Sequence, residues 1–280
     1  MDANQWSWGE SLLRVVAGVA RNDPMVTQYE SVLRAELTEA LCGMGLTVVR
    51  SRAEYTRSIQ YYCISHRQGA LEFVRYRTPN TSNTQEMNDR LAFFEEHLTT
   101  GPPDIQAGRS PVDSSLPSVF LNIELKVGSM FPFTKTHNAT ARTGRNAFRT
   151  DLPHLYQPVD RPRADAFIFV SDIGLYCMLR GLHVKRGKGV GHTWQKAGGG
   201  SFADILPPFE DVITESGQTV EHFVEYEGVR LRSLSRAVRP WGSRMQDVYI
   251  REGEDGDETK VSNNWLFAVL IGVAAADEEE

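Results

Sequence analysis

Cysteine is scarce in this chain. Only Cys42, Cys63 and Cys177 occur in 280 residues, an odd number without paired spacing. This argues against a disulfide framework and favours a reducing compartment, so we expect a cytoplasmic protein. A zinc site would need clustered cysteine and histidine, and Cys63 with His66 has no second pair at matching spacing. We interpret each cysteine as a small buried hydrophobic residue.

Long hydrophobic runs are also missing. Residues 1–8 lack the basic and apolar regions of a signal peptide. The most apolar run, residues 265–276, is much shorter than the roughly 20 residues needed to cross a bilayer. We therefore expect no membrane association, and we interpret this run as a buried element that closes the C-terminal region.

Two common catalytic motifs are absent. The glycine-rich segments at 187–191 and 198–200 do not match the Walker pattern of phosphate-binding loops, which disfavours nucleotide binding there. No Gly-x-Ser-x-Gly motif of serine hydrolases occurs. The histidines are scattered, although a catalytic role for His154 stays open.

The overall charge is acidic, with 30 Lys and Arg against 36 Asp and Glu, which argues against a generic nucleic-acid binder. The local charge is different. Residues 126–196 contain twelve Lys and Arg against four Asp, and residues 230–244 contain five arginines and no acid. The acids concentrate at 252–258 and at the C-terminus. Such segregation would let one face of the protein attract phosphates.

A polar stripe on an apolar strand is the most informative motif. Within the segment 118–128, every second residue from Asn122 to Lys126 is polar, and the residues on either side of each are Leu, Ile or Val. The polar residues Asn122, Glu124 and Lys126 therefore share one face of a strand. Asp104 follows two prolines upstream. Two carboxylates and an ammonium can hold a hard divalent cation and orient a water. In the plain alternative, Asp104 caps a turn, and Glu124 and Lys126 face solvent on an edge strand.

Pro103-Asp104 followed by Glu124-Leu125-Lys126 resembles the signature of the PD-(D/E)XK nucleases, a superfamily that includes type II restriction enzymes and anti-phage effector nucleases. The resemblance covers roughly residues 25–185. It implies an α/β fold, with a restriction-endonuclease-like core in which helices flank a central mixed β-sheet, and an appended C-terminal region. We accordingly divide the chain into a nuclease core at 1–185 and an accessory region at 186–280.

The predicted elements agree with this resemblance. Apolar residues at helical spacing predict a helix over 28–44, and its acidic candidates are Glu30, Glu36 and Glu39. We favour Glu36 over the other two, although sequence does not fix the phase of the helix on the sheet. The remaining predicted elements are helices at 9–19, 85–98 and 141–156, the last interrupted by Pro153; strands at 46–50 and 164–172; and hairpins at 59–76 and 223–232.

The resemblance also implies residue roles. Asp104 and Glu124 would bind one or two Mg²⁺ ions, which Mn²⁺ could replace, and the Leu125 carbonyl would add a ligand. Lys126 would orient the attacking water or stabilise charge on the phosphate. Gln106 and Asn122 are in phase with these residues and could line the cleft. The predicted DNA contacts are basic residues of the central segment: Lys135, Arg142, Arg145, Arg149, Lys185, Arg186 and Lys188.

The predicted function is therefore Mg²⁺-dependent endonucleolytic cleavage of DNA, preferably double-stranded, in restriction or anti-phage defence. A homodimer or higher homo-oligomer is expected, because two active sites can cut two strands. The alternative is a catalytically inactive nuclease-fold module that binds DNA or a partner subunit of a defence complex.

Overall fold

The computed structural model describes residues 3–27, 30–43, 47–49, 62–67, 70–75, 105–109, 119–130, 148–157, 164–187, 194–195, 202–240, 247–262 and 264–274. The helices are α1 (Ala3–Asn22), α2 (Glu30–Gly43), α3 (Ile173–Leu179) and α4 (Phe209–Thr214), with 3₁₀ turns at Pro24–Thr27 and Leu152–Leu155. The strands are β1 (Thr47–Val49), β2 (Tyr62–Arg67), β3 (Ala70–Arg75), β4 (Ile105–Arg109), β5 (Val119–Gly128), β6 (Ala166–Asp172), β7 (His183–Arg186), β8 (Val220–Tyr226), β9 (Val229–Val238), β10 (Val248–Arg251), β11 (Thr259–Val261) and β12 (Leu266–Val273).

The chain divides into two units. The first comprises Met1–Leu33, Leu125–Pro153 and Phe167–Glu280, and the second comprises Arg34–Glu124 and His154–Ala166. The fold is α/β, with a mixed sheet flanked by helices, as predicted. The division does not fall at residue 185. The C-terminal residues belong to the same unit as α1 and most of β6, because their strands complete the sheet around β6.

In the first unit, the strands follow the order β5-β6-β12-β9-β8. β12 pairs antiparallel with both β6 and β9, with Leu270 opposite Ile168 on one side and Leu234 on the other. Every residue of β6 is buried, and all of β12 except Val273 is buried. Continuous apolar runs of this kind are typical of strands covered on both faces. The buried run predicted at 265–276 is thus confirmed over 266–273, as a strand inside the sheet, and residues 275–276 lie outside the described part of the chain.

Helix α1 packs against β9 and β12. Its buried residues Leu12, Val16 and Ala20 recur every fourth position, which places them on one helical face. In the same unit, Phe148 makes edge-to-face contacts with Phe167 and Phe169, each at a centroid distance of 5.3 Å. Such aromatic contacts add to the stability gained by burial.

The helix predicted over 141–156 is confirmed at its C-terminal end. Residues 148–151 are helical, and the chain then changes to the 3₁₀ turn Leu152–Leu155. Pro153 accounts for this change because proline lacks the N–H that an α-helix would need. Residues 141–147, like the predicted helix at 85–98, lie outside the described residues.

The second unit contains β1 and β4, which pair antiparallel, and β4 also pairs antiparallel with the start of β5. Strands β2 and β3 pair antiparallel with Arg67 opposite Ala70, which confirms the predicted hairpin. A further small sheet in the first unit has the order β11-β10-β7. Among the described helices, none combines the length and apolar character needed to span a bilayer.

The hairpin of β8 and β9 confirms the prediction at 223–232. Tyr226 lies opposite Val229, so the turn consists of Glu227 and Gly228, with φ of 50° and 77°. Positive φ at both central residues is the signature of a turn whose twist matches the flanking strands, and glycine adopts it without strain.

Two glycine substitutions should change stability in opposite directions. Gly18 lies inside α1 with open space around its Cα, so Gly18→Ala should raise the free energy of unfolding by about 0.5–1 kcal/mol. Gly228→Ala should lower it by about 1 kcal/mol, because alanine at φ 77° is strained although space is available. Urea unfolding of both variants tests this, and equal shifts would contradict the role of φ.

Candidate active site

Strand β5 carries Glu124 and Lys126 on one face. Glu124 is only 6 % exposed, while Asn122 and Lys126 are partly exposed. On the other face, Leu121, Ile123 and Leu125 are fully or almost fully buried. The predicted alternation is confirmed, and the plain alternative in which Glu124 faces solvent is wrong. A buried carboxylate is costly without partners, so its surroundings matter.

Two carboxylates hold the ammonium of Lys126 in the first unit. The Lys126 Nζ donates to Glu30 Oε2 at 3.2 Å and lies 3.4 Å from Asp151 Oδ2. The other carboxylate oxygen of Asp151 accepts a hydrogen bond from the Thr150 hydroxyl at 3.1 Å. The three side chains of the Lys126 cluster, Glu30, Lys126 and Asp151, are 29 %, 21 % and 17 % exposed. Water therefore screens them only in part, and the two acids restrict where the ammonium can point.

The helix glutamate in contact with Lys126 is Glu30, not Glu36. Glu36 and Glu39 are exposed. The physical reason is the phase of α2, whose buried residues Leu33, Leu37 and Leu41 recur every fourth position. Glu30 precedes Leu33 by three residues and so lies on this buried face, whereas Glu36 lies about 100° of helical rotation away from its centre. The spacing of the leucines was the signal that could have identified Glu30.

Glu124 lies beside His154 in the second unit. Glu124 Oε1 is 3.4 Å from His154 Nδ1, and both side chains are largely buried. His154 belongs to the 3₁₀ turn Leu152–Leu155, and its backbone carbonyl accepts a hydrogen bond from the N–H of Ala164 at 2.9 Å. The position of the imidazole is thus supported by backbone pairing. This contact places His154 next to a predicted metal ligand, and its catalytic role stays a prediction.

A reciprocal pair also holds β5 at Asn122. The Asn122 N–H donates to Asp165 Oδ2, and the Asp165 N–H donates to the Asn122 carbonyl, both at 2.8 Å. Asn122 thus uses its backbone to join β5 to the residues just before β6. Sequence analysis missed Asp151 and Asp165, because each stands alone in a basic or apolar segment without a motif around it.

The donor chemistry around β5 fits a hard cation. Carboxylate and carbonyl oxygens are the ligands that Mg²⁺ prefers, and Glu124 with the Leu125 carbonyl are of this type. Within the described ranges, no group of three or more His, Cys, Asp and Glu side chains is arranged to hold a metal. Asp104, the second predicted carboxylate ligand, immediately precedes β4 and lies outside the described residues. Its role stays a prediction.

The predicted DNA contacts are described only in part. Arg149 is exposed on the helical residues 148–151, and Lys185 lies on β7, where its Nζ is 2.5 Å from Glu258 Oε2. Arg186 also belongs to β7, but its side chain is not among those described. Four of the predicted contacts lie outside the described residues: Lys135, Arg142, Arg145 and Lys188.

Neither Tyr176 nor Cys177, both buried within α3, fits the role of a nucleophile. Cys177 is fully buried, and burial raises the pKa of its thiol well above the ordinary value. Burial likewise raises the pKa of Tyr176, whose hydroxyl donates to the Pro207 carbonyl at 2.8 Å. A nucleophilic cysteine needs the thiolate form, which burial disfavours. Cys177 therefore has the structural role that its sequence context predicts.

Comparison of the chain with family models, curated proteins and solved structures gives no significant match.

Proposed function

We propose that the protein is a Mg²⁺-dependent endonuclease with a restriction-endonuclease-like core, which cuts double-stranded DNA in restriction or anti-phage defence. The observation that carries the proposal is the environment of Lys126. Its ammonium is held by Glu30 and Asp151, two residues along β5 from the buried carboxylate of Glu124. Together with the Pro103-Asp104 motif, this supports the roles that the nuclease resemblance implies.

Asp104, Glu124 and the Leu125 carbonyl would hold the ion. When bound, Mg²⁺ would act as a Lewis acid that polarises the phosphate and lowers the pKa of a coordinated water molecule. Glu124 suits this position because β5 holds it rigidly in a largely dry site, where a carboxylate attracts a cation more strongly than in water. His154 would act as a positioning residue that restricts the Glu124 side chain.

Lys126 would contribute the only cation of the Lys126 cluster. A positive group close to the scissile phosphate can stabilise the charge that develops in the transition state, or orient the attacking water. Glu30 and Asp151 each place a negative group within ion-pair distance of the lysine ammonium, so its charge is balanced before DNA binds. They also fix its direction before substrate binds, so that less reorganisation is required during the reaction.

The direct test is metal-dependent cleavage of a supercoiled plasmid by the purified protein. We expect nicked and linear products with Mg²⁺ or Mn²⁺ and none with EDTA. Asp104→Ala and Glu124→Gln should each reduce the cleavage rate about 100-fold or more, because each removes an anionic metal ligand. Unfolding curves in urea show whether the variants remain folded. Cleavage in EDTA, or full activity of both folded variants, would contradict the proposal.

The second candidate is a nuclease-fold module that binds DNA or a defence partner without cutting. The paired state of Lys126 is the observation that favours it, because an ammonium between two carboxylates can serve stability alone. Saturable DNA binding without cleavage in any divalent metal would support this candidate.

We also propose that the protein is a cytoplasmic homo-oligomer. Cross-linking or light scattering would measure its oligomeric state independently of activity.

A further inference from the structure

The small sheet β11-β10-β7 presents a polar face and an apolar face. Val184, Val248 and Ile250 are buried on one side, and α3 packs against β7 and β10. Strand alternation places Lys185, Tyr249 and Arg251 on the opposite side, together with the buried His183. Tyr249, which lies opposite Lys185 in the register, is itself buried, so the accessible parts of this side belong to the cations and Trp194. We call Lys185, Tyr249 and Arg251, together with Trp194, the cation–aromatic face.

Trp194 is the centre of this face. The Lys185 Nζ lies 4.4 Å from the Trp194 ring centroid, and the Arg251 Cζ lies 4.2 Å from it. The backbone next to Trp194 is fixed, because Gln195 and Val184 exchange two hydrogen bonds of 2.8 Å. Cation–π contacts of this kind hold both cations in defined positions. Two like charges thus lie on one indole ring, and a nearby anion would reduce their mutual repulsion.

The two cations differ in how they are balanced. Lys185 is paired with Glu258 at 2.5 Å. Among the described residues, no carboxylate lies within ion-pair distance of Arg251, and its Nε is buried without a hydrogen-bond partner. The Arg251 side chain is only partly exposed, so an anion would reach it through the outer guanidinium nitrogens and not through Nε. Its planar array of donors matches a phosphate group.

Glu258 is the intramolecular competitor for such an anion. It ends the turn between β10 and β11, and residues 252–258 contain five acids in seven positions. A polyanion could approach Arg251, but it would have to displace Glu258 to reach Lys185. The turn would therefore limit the affinity of the face for polyanions without blocking it.

We propose that the cation–aromatic face binds the phosphodiester backbone of DNA and that Glu258 tunes its affinity by competing for Lys185. The choice of DNA rests on the proposed function, but binding at this face needs none of the proposed catalytic residues. Aromatic packing would hold the cations, and the exchange of Glu258 for phosphate would supply the second contact.

The test is fluorescence anisotropy of a labelled short DNA duplex with the full chain in EDTA, so that cleavage plays no part. Arg251→Gln should weaken binding about 10-fold and make the slope of log K against log salt shallower by about one unit, because one phosphate contact is lost. Glu258→Gln should tighten binding about threefold, because it frees Lys185 while changing a single charge.

Asp247→Asn is the matched control for Glu258→Gln. Asp247 pairs with Lys260 at 2.6 Å on the same sheet, so this variant also neutralises one acid of an ion pair. It should tighten binding less than Glu258→Gln. Parent-like affinity and salt slope for Arg251→Gln, or equal tightening by both acid variants, would overturn the proposal. The proposal would also be overturned if inorganic phosphate displaced the duplex when its concentration equals that of the DNA phosphate groups. The face would then bind free phosphate and not a DNA backbone.

The outcomes separate this inference from the proposed endonuclease. Arg14→Ala removes one cation from the exposed Arg14–Glu10 pair on α1 and should bind the duplex as tightly as the parent in EDTA. If neither the parent nor any variant cleaves plasmid, but Arg251→Gln still makes the slope of log K against log salt shallower, the endonuclease proposal is wrong and the DNA-binding proposal stands. If the plasmid is cut and Arg251→Gln binds normally, the reverse conclusion holds.

Discussion

Lys126→Ala should reduce Mg²⁺-dependent plasmid cleavage by about 100-fold or more, because removal of one preorganised charge at a reacting phosphate has effects of this size. The change removes the ammonium and leaves the carboxylates of Glu30 and Asp151 without their shared counter-charge. Initial rates under saturating Mg²⁺, measured for parent and variant at equal DNA concentration, test this expectation.

The Lys126→Ala result needs a stability control. The three side chains of the Lys126 cluster are partly exposed, so repulsion between the two carboxylates should cost no more than about 1 kcal/mol of unfolding free energy. Arg14→Ala breaks a different ion pair, the exposed Arg14–Glu10 pair on α1, and should cleave like the parent. A folded Lys126→Ala variant with parent-like rates would show that Lys126 has only a structural role.

The helix glutamates provide a matched pair within the same experiment. Glu30→Gln keeps the size of the side chain but removes the charge that contacts Lys126, and it should lower the cleavage rate. Glu36→Gln makes the same chemical change at an exposed position of α2 and should have the smaller effect. If Glu36→Gln lowered the cleavage rate more than Glu30→Gln, Glu36 and not Glu30 would be the helix glutamate of the active site, as predicted from the sequence.

Asp172→Ala should lower the free energy of unfolding by about 3 kcal/mol or more, the range for loss of a buried acceptor that serves several donors. Asp172 is fully buried at the end of β6. Its carboxylate accepts hydrogen bonds from the Ser129 hydroxyl at 2.5 Å, the Met130 N–H at 3.1 Å and the Leu175 N–H at 2.8 Å. Alanine would leave these donors unpaired and would remove the N-cap of α3.

Urea unfolding followed by circular dichroism measures the effect of Asp172→Ala. Asp172→Asn keeps one acceptor oxygen and should lose less stability than alanine. Asp257→Ala removes an exposed acid and should change the unfolding free energy by less than about 0.5 kcal/mol. If Asp172→Ala unfolds at the same urea concentration as Asp257→Ala, the carboxylate does not hold the three donors in solution.

Several elements could be predicted because their signals are local. The apolar run of β6 and the run around β12 predicted buried segments, and alternation on β5 predicted a polar face with Glu124 and Lys126. Pro153 predicted an interruption of the helix, which the 3₁₀ turn Leu152–Leu155 bears out. Each of these predictions depends on the spacing of residues within a short segment. In a strand or helix, this spacing fixes the direction of each side chain and therefore which side chains share a buried face.

The partners of these elements could not be predicted in the same way. The C-terminal strand β12 lies between β6 and β9, and the sequence gives no sign of which strands will be its neighbours. For the same reason, the boundary predicted at residue 185 differs from the division that the contacts show. Strand pairing over long separations depends on the packing of whole faces, not on the residues of one strand.

The chain's sequence by itself determined where the charges of the proposed site are carried: Glu124 and Lys126 alternate on an apolar strand, after Pro103-Asp104. Only the tertiary structure decided which groups meet them. Glu30 and Asp151 are 96 and 25 residues from Lys126 along the chain, yet both hold its ammonium. The phase of α2 and the 3₁₀ turn after residue 151 are set by burial of apolar faces, and the polar contacts follow from that packing.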